Sequence, residues 1–417
     1  MRPLHFGSLF WPANNPSMPI YPSLNGRTDC QVAIVGGGMT GTIIGYVLAR
    51  SGISTILIEQ DRVASGSTSA NTGLIQYSND IMLSELAGQI GEPDAVMFYR
   101  ACKNAVEKLC DVAEGLPQDV HFRRRSSLYY ASTPNDVAPL RREYEMLHRH
   151  GFDAEWWDAD RIASVFPFRR EAAIVTQGDG EIDPYRFVSE LARDGVQHGL
   201  RIHEHTTLKS VEGEKGGIVC RTERGEIHAE RIVYAVGYSP ESAGGRCVRA
   251  LLNRSYVIVT KPLPSLAEWH QRWLLWETAR PYLYLRTTTD GRMIAGGRDE
   301  PVRQPVQTDR ELGNYTAQLM NDLRELFPTY DVELAYEWCA TFGESADQLP
   351  WLGEDPDRSG QYYALGYGGN GTVYSQMAAQ LLLDDILGID NSIARIVSPG
   401  RTPSQQLPER TTAVTNG

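Results

Sequence analysis

An α/β fold is predicted by three observations. A short apolar, β-branched run, Gln31-Val-Ala-Ile-Val35, leads into the glycine turn Gly36-Gly-Gly-Met-Thr-Gly41 and then into a helical pattern from Thr42 to Ser51. Thr55-Ile-Leu-Ile58 reads as a second strand and ends at Glu59. At 417 residues the chain is too long for most single cores, so a second domain is expected beside this unit.

The glycines have separate physical tasks. Gly36 permits the tight turn, Gly38 lets the backbone approach a pyrophosphate, and Gly41 lets the helix pack closely on the strand, while the N–H groups of the helix start face the anion. Glu59 stands about 20 residues further on, where an acid accepts hydrogen bonds from ribose hydroxyls. Strand, turn, helix, strand and acid in register describe a Rossmann-like dinucleotide site.

Composition narrows the class. Hydrophobic residues make up 41% and charged residues 22%, as in an ordinary soluble globular protein. The net charge of −12, from 40 basic against 52 acidic residues, gives no basic footprint for nucleic acid or anionic lipid. The six cysteines (Cys30, Cys102, Cys110, Cys220, Cys247, Cys339) include no Cys-x-x-Cys pair, so neither a disulfide framework nor a metal site is expected. Pro3, Pro12, Pro16, Pro19 and Pro22 break the N-terminal segment, which argues against a signal-peptide helix or membrane span there. No transmembrane segment and a cytoplasmic location are the expectation.

Residues 1–28, with Phe6, Phe10, Trp11, Ile20 and Tyr21 among prolines, read as an extended arm laid over the domain that follows. Asp61 to Ile75 is a run of small hydroxylated and glycine residues directly after the ribose acid. It reads as a segment that passes close to the cofactor, where only small side chains fit. A helical pattern runs from Ile81 to about Glu114, a strand from Arg124 to Ala131, and a charged helix from Pro134 to His150. Trp156, Trp157, Phe166 and Phe168 read as packing aromatics. Ala172 to Thr176 is a short strand, and Asp183-Pro184 starts a helix that runs to about His198.

Short strands then follow at Thr206 to Val211, Gly217 to Arg221 and Arg231 to Gly237, the last ending where a cofactor crosses the carboxyl edge of a sheet. His203 and His205 have a spacing that would put both on one strand face; without a third ligand they read as solvated edge histidines. In Pro281-Tyr-Leu-Tyr-Leu-Arg286 the alternation sets Tyr282, Tyr284 and Arg286 on one face and Leu283 and Leu285 on the other. That polar-tipped face is either the lining of a substrate chamber or the solvent face of a sheet. A strand from Met293 to Gly297 and a helix from Asp309 to Leu326 come next.

Near the C-terminus, Tyr362-Tyr-Ala-Leu-Gly-Tyr-Gly-Gly-Asn-Gly371 precedes a helix from Thr372 to about Leu387. It offers a second helix N-terminus to partial negative charge. Lacking the order of the first turn and a following acid, it reads as a backbone contact to the other end of the same cofactor. Beyond Asn391 the chain is polar and proline-bearing, and disorder is expected.

Taken in order, these pieces resemble the D-amino-acid-oxidase-like (DAO) family of FAD-dependent oxidoreductases over about Asp29 to Leu387. The resemblance rests on the first glycine turn with Glu59, the Ala64 to Gly73 loop, Ile232 to Gly237, and Gly366 to Gly371. Glu181-Ile-Asp-Pro-Tyr185 and the Gly343 to Gly353 stretch also resemble family signatures. The proline-rich arm is most similar to the branch that includes gamma-glutamylputrescine oxidase, with glycine oxidase and sarcosine oxidase as other relatives.

The resemblance implies a discontinuous FAD-binding domain (29–115, 172–245 and 335–390) and an α+β substrate domain with a mostly antiparallel sheet (116–171 and 246–334), between an arm (1–28) and a tail (391–417). It assigns the pyrophosphate to Gly36, Gly38 and Gly41 and the adenosine ribose to Glu59, with Met39, Thr40 and Gln60 as adjoining cofactor contacts. Ser65, Ser67, Thr68 and Asn71 border the phosphates and ribityl chain, the backbone near Leu208 meets adenine, and Thr72, Gly73, Leu74 and Gly237 are further cofactor contacts. Gly368, Gly369, Asn370, Gly371 and Thr372 face the flavin's pyrimidine edge. The implied reaction is oxidation of a carbon–nitrogen bond of a small-molecule amine or amino acid by hydride transfer to the flavin. The imine is then hydrolysed, and O2 or another carrier accepts the electrons.

Two departures from the family stand out. Amino-acid-oxidising relatives place a carboxylate-binding arginine where this chain has Phe342, and glycine oxidase has another where this chain has Gly369. Either Arg286 supplies the clamp or the substrate lacks an α-carboxylate. Tyr282, Tyr284, Arg286 and Glu344 are the candidate chamber residues, with Glu344 and Asp347 read either as attractors of a cationic amine or as a solvated turn. Cys339 is one residue out of register for covalent flavin attachment, so non-covalent FAD is expected. A non-catalytic FAD-binding subunit or assembly factor on the same fold is the alternative. No oligomeric state is legible.

Overall fold

The computed structural model describes residues 4–15, 18–214, 216–237, 250–302, 304–365 and 368–401. Two sheets organise them. In the first, strands run in the order Trp351–Asp355, Arg358–Leu365, Gly225–Tyr234, Gly26–Val35, Thr55–Ile58, Arg201–His203. From Arg358–Leu365 to Arg201–His203 every pairing is parallel, and the hairpin Leu208–Glu214 with Gly217–Thr222 extends this sheet from Gly225–Tyr234. Parallel strands buried on both faces need continuous apolar runs, and Val32, Ile34, Ile56, Leu57 and Ile232 are fully buried. The helices Met39–Arg50, Pro184–Gln197 and Gly371–Leu387 pack together over one face. Asp183 starts the second of them by accepting the N–H groups of Tyr185 and Arg186.

The second sheet runs His5–Gly7, Leu334–Glu344, Leu251–Thr260, Met293–Glu300, Leu283–Thr287, Leu274–Glu277, Arg123–Tyr130, Ala172–Glu181, Leu74–Ile75, with Ala154–Asp158 paired to Ala172–Glu181. All of these pairings are antiparallel except that between Leu274–Glu277 and Arg123–Tyr130. One face packs on Asp309–Leu326 through Leu128, Tyr256, Ile258, Leu283, Leu285, Leu319 and Leu323. The other face looks toward the parallel-sheet unit.

Several boundaries differ from the sequence reading. Ala172–Glu181 and Leu334–Glu344 are strands of the antiparallel sheet, so divisions at 172 and 335 do not follow the sheets. The helix expected from Ile81 is two, Leu83–Ile90 and Glu92–Gly115, broken where Gly91 takes φ +89°. The arm is not merely laid on the first domain. His5–Gly7 extends the antiparallel sheet, Phe10–Asn14 is a short helix with Phe10 and Trp11 buried, and the Trp11 indole donates to the Asn71 carbonyl at 2.6 Å. Residues 391–401, expected to be disordered, hold the helix Ala394–Val397 and Arg401, which donates twice to Asp347 at 2.8 and 2.9 Å. His205 has φ +49° and lies beyond the strand that carries His203, so the two do not share a strand face. Among the described residues, no helix is long and apolar enough to cross a membrane.

Candidate active site

Between the two sheets lies a cavity of about 590 Å³. Its first wall is the glycine turn. Gly36 has φ +110°, and a Cβ there would stand 2.4 Å from the Ala235 carbonyl; a Cβ on Gly41 would stand 1.9 Å from the Gly36 carbonyl. These contacts are why helix and strand can close up only around glycine. Gly41 therefore serves helix packing and is not in the lining, whereas Gly36, Gly38, Met39 and Thr40 are.

The segment after Glu59 is tied to this turn. The Thr68 hydroxyl accepts the Met39 N–H at 2.8 Å, filling part of the helix start, and Thr40 and Ser375 share a hydroxyl contact at 2.8 Å that joins the turn to the Gly371–Leu387 helix. Glu59 accepts from Gly37 N–H at 2.7 Å and from Asp61 N–H at 2.8 Å. Burial raises its pKa, and those backbone donors hold the rise back. Gln60, Ser65, Ser67, Thr68, Asn71, Thr72, Leu74, Leu208 and Gly237 all line the cavity.

Gly73 does not. It sits at φ +76° under the antiparallel sheet, where a Cβ would meet the Ile182 carbonyl at 2.2 Å and the Arg286 guanidinium at 2.5 Å.

That contact also relocates Arg286. Its side chain is on the same sheet face as Tyr284, but it is fully enclosed: Nη1 donates to the carbonyls of Thr72, Gly73 and Ile182, and Nε donates to the Thr287 carbonyl and stands 3.7 Å from Glu181. It is absent from the cavity lining, so it is a brace between loop and sheet and not a carboxylate clamp. Glu344 is also outside the lining and accepts from Asn253 at 2.7 Å. Asp347 is buried, which raises its pKa, but its pairing with Arg401 wins and holds it below the usual carboxylate value. It is a structural ion pair. Cys339 packs in the core on the far side of the antiparallel sheet, where burial pushes its thiol up to about 11, while its neighbour Ala340 lines the cavity.

The chamber itself is built by Tyr282, Tyr284, Trp276, Phe342, Asp80 and Asp299. Tyr284 lies flat on its neighbouring strand because Gly296 has no side chain: a Cβ there would stand 2.2 Å from the tyrosine hydroxyl. The Tyr282 and Tyr284 ring centres are 5.7 Å apart. Burial raises the pKa of both phenols, so both are neutral donors at ordinary pH.

From the opposite side come Gly368, Gly369, Asn370, Gly371 and Thr372 at the start of the Gly371–Leu387 helix; Gly366 and Tyr367 of the same motif lie outside the described residues. The Asn370 amide donates to the Gln76 and Ser78 carbonyls and to Asn79 Oδ1 at 2.8–3.1 Å, and Asp80 Oδ2 accepts the Gly369 N–H at 2.8 Å.

Asp80 and Asp299 are the functional candidates that sequence reasoning missed. Asp299 was hidden by a bulge. Alternation from Ile294 and Gly296 would send Arg298 into the cavity. Instead Gly297 at φ +142°, Arg298 at φ +61° and a register shift between Arg254 and Tyr256 insert an extra residue. Arg298 turns out to meet Asp322 on the outer helix, and Asp299 takes the cavity face. The adjacent glycines were the one signal for such a bulge. Asp80 carried none, because its neighbours are far away in sequence.

The family model described as FAD dependent oxidoreductase (DAO) matches residues 31–384. Glycine oxidase of Geobacillus kaustophilus (strain HTA426) is 26% identical over 85% of this chain and 92% of its own length. Gamma-glutamylputrescine oxidoreductase of Escherichia coli (strain K12) is 25% identical over 92% of this chain and 89% of its own. In fold, the crystal structure of glycine oxidase from Geobacillus kaustophilus superimposes with a TM-score of 0.77 at 21% identity, covering 90% of this chain and 99% of that one.

Proposed function

Because the chain belongs to the DAO family of FAD-dependent oxidoreductases, we propose that it oxidises a carbon–nitrogen single bond of a small-molecule amine or amino acid. The observation that carries this reading is the continuity of one cavity from the Gly36 turn to the chamber of Tyr282, Tyr284 and Asp299. The relatives named glycine oxidase and gamma-glutamylputrescine oxidoreductase support the same reaction class.

The lining fits the cofactor. Where Gly38 and Gly36 leave no side chain, Gly36, Gly38, Met39 and Thr40 would hold the pyrophosphate at the start of the Met39–Arg50 helix. Glu59, with both carboxylate oxygens already oriented by backbone N–H groups, would accept from the ribose; Gln60, Leu208 and Gly237 would border that end. Ser65, Ser67, Thr68, Asn71, Thr72 and Leu74 would border the phosphates and ribityl chain. Gly368 to Thr372 would present the N–H end of a 17-residue helix to the pyrimidine edge, where partial positive charge favours reduction. The position of Cys339 in the outer core supports non-covalent binding.

When bound, the flavin supplies a two-electron acceptor for a hydride from the carbon next to nitrogen. The chain's own residues orient the amine with the Tyr282 and Tyr284 hydroxyls and shield it from solvent with Trp276 and Phe342. Water then hydrolyses the imine.

The test is anaerobic absorbance titration of the yellow protein with primary amines, N-methyl amino acids, D- and L-amino acids and glycine. Bleaching by one class is expected, and the rate of recolouring in air separates oxidase from dehydrogenase. A fully flavin-loaded sample that no amine bleaches would count against the proposal and for a binding subunit.

A further inference from the structure

The tyrosine end of the cavity is acidic. Its lining includes Asp80 and Asp299, and among the described residues no arginine or lysine lines any part of the cavity. The cation beside it, Arg280, donates to the Asp80 carbonyl at 3.0 Å and places its guanidinium 5.0 Å over the Tyr282 ring, outside the lining. His5 also lines the cavity, and burial lowers its pKa, which keeps it neutral. A ligand carboxylate arriving here meets two acids and no cation.

Asp299 has a further property. Its Oδ1 is shut off from solvent and accepts no hydrogen bond. Leaving a buried carboxylate oxygen without a donor is costly, and because the Asp299 side chain belongs to the cavity lining, a donor brought by the ligand can supply the missing bond once the carboxylate turns toward it. Burial raises the Asp299 pKa to about 7; the Ser255 hydroxyl and Arg280 lower it, and Asp80 and Glu344 raise it. A group of that strength exchanges a proton readily near neutrality.

We propose that Asp299, assisted by Asp80, receives the substrate's ammonium group and takes one proton from it, and that this selects a cationic amine with no carboxylate on the reacting carbon. The inference rests on the amine-oxidising reading above and assigns its substrate class. In the transfer an N–H bond of the ammonium breaks, the electron pair stays on nitrogen, and the proton joins Asp299. The neutral amine so formed is the species able to give up hydride, because an ammonium has no free pair to stabilise the developing cation. Rejection of carboxylates follows from like charge and from Arg286 being held elsewhere.

The test uses the flavin-loaded protein and two probes of one shape that cannot be oxidised, tert-butylamine and pivalate. Binding is followed by perturbation of the flavin absorbance and by calorimetry in buffers of different ionisation enthalpy. The amine is expected to bind at least about tenfold more tightly than pivalate, a difference of about 1.4 kcal/mol. Near about pH 6 its binding should release about one proton, and near about pH 9 none, because Asp299 is protonated before binding only in the first case. Asp299→Asn should weaken the amine about tenfold or more and abolish the release, whereas Asp299→Glu should retain the release and thereby exclude simple misfolding.

Tighter binding of pivalate, or an Asp299→Asn protein that keeps its amine affinity within about twofold, would overturn the proposal. If tert-butylamine binds in an Asp299-dependent way but no oxidisable amine bleaches the flavin, the ammonium site stands and the oxidation reading falls. If amines bleach the flavin while pivalate is preferred, the reverse holds.

Discussion

The Asp80 carboxylate accepts the Gly369 N–H at 2.8 Å, and a Cβ on Gly369 would stand 2.9 Å from that same oxygen and 3.1 Å from the Tyr282 hydroxyl. A side chain here is opposed by its neighbours and not by backbone conformation, and the space where the family resemblance implies an arginine is filled by an acid and a phenol. Gly369→Ala is expected to displace both groups by a few tenths of an ångström, to cost about 1–3 kcal/mol of stability, and to weaken amine binding. Denaturant unfolding and ligand titration measure the two effects; full retention of both would show that Asp80 and Tyr282 move freely.

Arg286 gives a second prediction. Arg286→Met strips the donor from the carbonyls of Thr72, Gly73, Ile182 and Thr287 and one of two cations from Glu181, whose other partner is Arg125 at 2.8 Å. Breaking a buried pair in this way costs about 3–5 kcal/mol. The midpoint of chemical denaturation should fall accordingly, while the relative affinity for amines and carboxylates stays as it was. A clamp on substrate carboxylate would show the opposite pattern.

Asp299 makes stability depend on pH. Its folded-state pKa of about 7 lies above the unfolded value of 3.8, so the folded chain binds more protons across that interval. Stability without amine therefore falls as pH rises from about 4 through about 7, by an amount on the order of 4 kcal/mol. Asp179, buried and raised to about 6, adds a slope of the same sign. Unfolding free energies across this range should decline, and Asp299→Asn should flatten the upper part of the curve. A variant with an unchanged curve would exclude Asp299 as its source.

Trp11 tests the arm. Its indole is buried, donates to the Asn71 carbonyl and lies under the Arg286 guanidinium at 5.7 Å. Trp11→Ala should cost about 3–5 kcal/mol and lower flavin retention, because Asn71 belongs to the cavity wall. Melting temperature and the ratio of flavin to protein absorbance measure the two consequences.

Most of the dinucleotide half was legible because its determinants are local. The apolar run before Gly36, the helix after Met39 and the hydroxyl-rich loop through Thr68 each announce themselves over a few residues, and the structure places Thr68 against the helix start. The alternation of Tyr284 with Leu283 and Leu285 was equally readable, and the leucines do face the outer core. Arg286 shows the limit: its face was inferred, but not the loop that closes over it, because Thr72 and Gly73 reach it from another part of the chain. The tail was misread for the same reason, since Arg401 is ordered by Asp347 and not by its own neighbours in sequence.

By itself the sequence determined the parallel-sheet unit, its glycine turn and the acid at Glu59, since short-range periodicity and backbone freedom specify these without reference to distant residues. The character of the chamber was decided only in three dimensions. Regular alternation would point Arg298 inward, but a bulge at Gly297 puts Asp299 there instead, so one inserted residue makes the wall acidic where an unbroken strand would make it cationic.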